Sequence, residues 1–212
     1  MSRLPSRRRQ RSPGRPFGPP VGGWWRWLVL GGVVGPVAFV GAWVRCGVVT
    51  AGYSPVRGAI SDLAAIGAPT RAVMTAGFIV FGLAVPLYGL ALRRALAGWA
   101  WLAAVVCGVA SLGVAAVPLG RGSDGWHGGF AGIGYVALTL VPALAVPPLR
   151  RLGRTRGAAA SVVIAVAAAT CLVATTLGPA RGLFQRVGLA AGDVWLVASA
   201  LVILRRGGLG SR

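Results

Sequence analysis

Only four side chains in this 212-residue sequence carry a carboxylate or an imidazole: Asp62, Asp124, Asp193 and His127. Asp124 and His127 are three residues apart, so a helix starting early enough places them on one face. A carboxylate in that position orients the ring and raises its basicity. The pair then suits general acid–base work, or supplies two ligands to a metal. A solvated loop contact is the alternative. Asp62 lies in a polar stretch with Tyr53, Ser54, Arg57 and Ser61. There it reads as an acid, a base or an ion ligand, or else Ser61 or Asp62 caps a short helix. As catalytic candidates the sequence offers Asp62, Asp124 and His127.

Asp193 stands inside an apolar run. Ten residues past Leu183, it lies about 15 Å along a helix. A carboxylate at mid-bilayer costs roughly 2.5–3.5 kcal/mol, so it should face the protein and have a partner. Arg186, seven residues earlier on nearly the same face, is the expected one. The functional alternative is a proton or substrate site. The acids, His127 and Tyr53 thus gather towards one side, which predicts a polar pocket opening outward.

Several chemistries are absent. One His rules out bis-His haem and a three-His zinc site. There is no Gly-Lys phosphate loop and no Gly-x-Ser-x-Gly elbow. Cys46, Cys107 and Cys171 have no framework spacing and read as small apolar residues. No cofactor is expected.

What must position these residues is a set of long apolar runs. Hydrophobic types make up 56% of the chain and charged types 12%, and mean hydropathy is +0.74. A soluble domain carries about 25% charged residues. Six runs extend over Trp24 to Val44, Ala72 to Leu92, Gly98 to Leu119, Gly129 to Leu149, Gly157 to Leu177 and Leu183 to Leu204. Each is about 20 residues, enough to cross hydrocarbon as a helix. The expected fold is therefore all-α, a polytopic transmembrane bundle of six helices over 23–206. It follows a disordered Arg/Pro-rich tail at 1–22 and precedes a short tail at 207–212. The Arg-Arg pairs near the start do not fit a twin-arginine export signal, because Gln10 and Arg11 follow them.

Charge sets the orientation. The net charge is +19, carried by 22 Arg and no Lys. With the tail inside, 16 Arg fall on the inner side and six on the outer. The positive-inside rule then places both termini in the cytoplasm. Trp24, Trp25, Trp27, Trp99 and Trp101 belong to the inner interface and Trp43 and Trp126 to the outer. The expected location is the cytoplasmic membrane of a high-G+C bacterium. The expected partners are membrane lipids, anionic ones at the cytoplasmic face, and not nucleic acid. Gly31-x3-Gly35 and Gly128-x3-Gly132 predict close helix approach. A Pro followed by Arg-Gly recurs at Pro55, Pro118 and Pro179, which is compatible with triplicated hairpins or simply with composition.

Tyr53-Ser54-Pro55-Val56-Arg57, then Ile60-Ser61-Asp62-Leu63, Gly67, and a helix through Gly77 and Gly82 resemble the integral membrane family known as domain of unknown function 998. The resemblance runs from about residue 24 onward. It implies about six spans, a Ser-Asp-Leu segment after the first span and a His opening the fourth, which His127 matches. The family places an acid soon after the Pro ending its third span; here five residues separate Pro118 from Asp124. No activity comes with the resemblance.

The function expected is that of a multi-pass protein whose outward polar cluster binds a small ligand or a lipid head group. Tyr53, Ser54, Arg57, Ser61, Asp62, Asp124, His127, Arg186 and Asp193 are the candidate binding residues. Two rivals are an enzyme on lipid-linked substrates at the outer leaflet, with an Arg holding an anionic group, and a proton-coupled carrier using Asp193.

Overall fold

Each apolar run winds into a helix, as backbone groups in hydrocarbon require. The computed structural model describes residues 23–120 and 122–208; residues 1–22, Arg121 and 209–212 lie outside the described residues, and 207–208 of the expected tail belong to the last helix. The helices are α1 (Gly23–Val49), α2 (Arg71–Ala95), α3 (Ala100–Ala116), α4 (Asp124–Arg151), α5 (Thr155–Ala174) and α6 (Arg181–Gly208). A short 3-10 helix, Ile60–Ala64, lies between α1 and α2. Among the described residues there is no strand. All helices but α3 are long and apolar enough to cross a membrane. The chain is an all-α multi-pass membrane protein.

Consecutive helices pack side by side, and α6 returns to α1, closing a ring; α4 also touches α6 across it. The 50–70, 117–123 and 175–180 connections share one end, here termed the cap end, from which α2, α4 and α6 run.

Helix limits depart from the apolar runs where local chemistry intervenes. α1 continues to Val49, taking Arg45 and Cys46 into the helix. α3 has only 17 residues, a rise of about 25 Å. Pro118 stops it, because a proline pushes the preceding residue towards extended backbone, and Val117 has φ −117° and ψ 77°. α4 starts at Asp124, so Asp124 and His127 do share its first turn.

Small residues let the helices approach. A Cβ on Gly31 would strike the Ala84 carbonyl of α2, and one on Gly82 would meet Leu112 of α3 at 2.6 Å. Gly128 and Gly132, in contrast, have no such neighbour within 4 Å and face outward. That spacing packs no helix within the chain. α5 buries only Ala158, Ser161, Ala165 and Ala168, one stripe at helical spacing. Ser161 accepts a hydrogen bond from the Trp195 indole at 2.8 Å, tying α5 to α6. Its outward Val162, Val163 and Val166 are exposed, as a lipid-facing surface should be.

At the opposite end, Arg93 lies over the Trp101 ring and Arg94 over Trp24 and Trp25, at 4.9–5.2 Å. These cations close the last turn of α2, where the helix dipole favours positive charge.

Candidate functional site

The cap end is organised by one guanidinium. Arg186, in the second turn of α6, is 6% exposed. Its Nη1 donates to the carbonyls of Pro55, Gly58 and Gly182 at 2.8–2.9 Å. Its Nη2 donates to the Tyr53 hydroxyl. That hydroxyl donates onward to the Ala59 carbonyl at 2.7 Å. The cation also lies over the Trp43 and Tyr53 rings at 5.4 and 5.5 Å. Burial pushes the Tyr53 phenol up, a shift that the neighbouring Arg186 charge partly opposes. The Leu183 amide donates to Val56 at 3.0 Å, and Arg181 Nε donates to Arg57 at 3.1 Å. The start of α6 therefore straps down the 53–60 segment.

The expected partner of Arg186 is not Asp193. Both oxygens of Asp193 are buried with no hydrogen-bond partner among the described residues, at 3% exposure. The reason is directional. A helical side chain leans towards its own N-terminus, so Arg186 reaches the cap carbonyls and leaves Asp193 behind it.

The other acids are used locally. Asp62 Oδ2 accepts from the Ala59 amide at 2.8 Å, capping the 3-10 helix. Asp124 Oδ1 accepts from the Gly120 amide at 2.9 Å and is exposed at the start of α4, where a negative charge suits the helix dipole. His127 is 3% exposed. Its Nδ1 meets the Val117 carbonyl at 2.6 Å; a carbonyl only accepts, so Nδ1 carries a proton. Nε2 is buried without a partner. Asp124 and His127 share a turn, yet their hydrogen bonds go to different partners. No hydrogen bond joins any two of Asp62, Asp124, His127 and Asp193 among the described residues. Ser54 turns the chain through its carbonyl, which accepts from Arg57 and Gly58 at 3.2 and 2.7 Å. Arg57 itself is exposed.

Beneath this strap lies a partly open cavity of about 70 Å³. Its walls are mainly aromatic and aliphatic: Phe39 of α1, Phe78 and Phe81 of α2, Val114 of α3, Phe130 of α4 and Leu189 of α6. Ser61, Ser111, Tyr135 and Gln185 supply the hydroxyl and amide groups. Ser111 and Tyr135 donate theirs to Phe78 and Phe184 carbonyls at 3.0 and 3.3 Å. Gln185 Oε1 accepts from the Ile60 amide at 2.9 Å, and its NH2 makes no hydrogen bond among the described residues.

Of the residues chosen from sequence, only Ser61 lines this cavity. Gln185 and the aromatic wall escaped that reading. A signal was present: four of the six Phe in the chain line it, in helices otherwise built of Ala, Gly, Val and Leu. Among the described residues there is no group of three or more His, Cys, Asp or Glu that could hold a metal ion.

A family model described as "Protein of unknown function (DUF998)" matches residues 33–202. No curated protein and no solved structure matches the chain.

Proposed function

We propose that this chain, which belongs to the DUF998 family, is a membrane protein that holds a small, largely apolar ligand inside its helix bundle. The aromatic-walled cavity under the cap carries this reading. Binding sites for small molecules are concave, mostly apolar and furnished with a few placed polar groups. Here Ser61 and the free amide of Gln185 are those groups, at the cap end of an otherwise apolar space.

The distribution of Arg supports a cap that faces outward, with both termini inside. The ligand then enters from the outer leaflet or the outer solution. The opposite, Arg- and Trp-rich end meets anionic lipid. Asp62 and the exposed Asp124 serve the backbone in this reading and do not form the binding surface.

Photolabelling tests it. A diazirine-bearing fatty alcohol, added to the purified protein in detergent, should crosslink to Phe78, Phe81 or Phe130. Gly134 also lines the cavity, and Gly134→Leu should abolish those crosslinks. Labelling confined to lipid-facing Val162, Val163 and Val166 of α5 would overturn the proposal.

A further inference from the structure

We infer that the ligand of this cavity is a hydrophobic cation, an organic ammonium whose charge is matched by Asp193. The inference rests on the cavity reading above and names the substrate class.

Asp193 is the carboxylate left without a hydrogen-bond partner among the described residues. Among the described residues, Asp62 and Asp124 spend their carboxylates on backbone amides, whereas both Asp193 oxygens are buried and partnerless. A carboxylate among apolar side chains calls for a counter-charge or a proton. The abundant arginines do not supply the charge: Arg186, the nearest along α6, is committed to the cap.

The position points at the cavity. Gln185 and Leu189 both line it, and Asp193 is the next residue on that stripe of α6, at successive steps of four. α6 runs inward from the cap end, so the Asp193 side chain leans towards Leu189 and the cavity. Leu138, which lines the cavity, packs against Gly192, the neighbour of Asp193. Asp193 itself stands outside the lining, one helical turn beyond Leu189, and in a low-dielectric interior charge attraction acts over such a distance.

The walls fit the same ligand. Phe39, Phe78, Phe81, Phe130 and Tyr135 line it, and aromatic rings attract an organic cation as well as packing its apolar body. None of the lining residues carries a positive charge.

The experiment uses benzyltrimethylammonium and its uncharged isostere neopentylbenzene, which carries carbon in place of nitrogen. Each competes against the diazirine label on the full chain. The expected result is that the ammonium protects Phe130 and Phe81 at concentrations at least tenfold lower than the isostere does. Asp193→Asn should erase that preference while the label still reaches the cavity. Equal protection by the two compounds on the unaltered chain overturns the inference, with no need for a variant, and leaves the cavity reading standing. A preference that survives in folded Asp193→Asn also overturns it. Absence of cavity labelling altogether overturns both readings.

Discussion

The Arg186 guanidinium of α6 donates to the hydroxyl of Tyr53, 133 residues earlier in the chain. With the Pro55 and Gly58 carbonyls added, one side chain fastens the 53–60 segment over the bundle. The contact closes the ring at the cap end, where α1 and α6 are neighbours. It also explains why a cation is buried in a protein with no carboxylate beside it: carbonyl dipoles, a phenol and two rings stand in for the counter-ion.

Arg186→Met should therefore destabilise the protein by about 1–3 kcal/mol, the cost typical of leaving buried acceptors without their donor. Three carbonyls lose a donor at once. Arg186→Lys should recover only part of it, because an ammonium lacks the planar fork. Thermal unfolding in detergent measures both. Equal melting of Arg186→Met and the unaltered chain would remove the strap from this account.

Tyr53→Phe should cost about 1–3 kcal/mol, since it deletes the donor to Ala59 and an acceptor of Arg186. The Tyr53 phenol is raised above its ordinary value of about 10. Its contribution is thus fully present below about pH 10 and is lost as pH rises through the folded value. The stability gap between the two proteins should be flat from pH 6 to 9 and narrow above pH 10. A gap unchanged at pH 11 would contradict this.

Asp62→Ala should cost about 0.5–2 kcal/mol, the range for a lost helix cap. Asp62→Ala and Asp124→Asn should both leave the cavity labelled by the diazirine probe. Loss of labelling in a variant that still folds would return these acids to the binding site.

The arrangement of Arg predicts the topology. A cysteine introduced at Ser54 or Ser123, in a background lacking Cys46, Cys107 and Cys171, should react with a membrane-impermeant maleimide on intact cells. One at Arg94 should react only after permeabilisation. The reverse pattern would invert the molecule.

Much of this protein was legible along the chain. Hydrophobicity and helix formation are local properties, so six apolar runs announce six helices. The turn shared by Asp124 and His127 is also local; Asp62 acts locally too, but from the third position of the 3-10 helix, with Ala59 and not Ser61 or Asp62 as the N-cap. Pro118 stops α3 as the resemblance implies, and the apolar run extends only one residue past it, to Leu119.

Tertiary structure decided which polar groups meet. Spacing alone puts Arg186 and Asp193 on one face of α6 and invites a pair. Only the direction of α6, leaning Arg186 towards carbonyls 128 and 131 residues away in sequence, separates them. The cavity has the same origin. Its walls come from α1, α2, α3, α4 and α6 and from the 3-10 helix, and no single helix shows the gap that their ring leaves unfilled. Hydropathy is a property of each segment, whereas a void and a missing counter-charge are properties of how segments fail to fill or match one another.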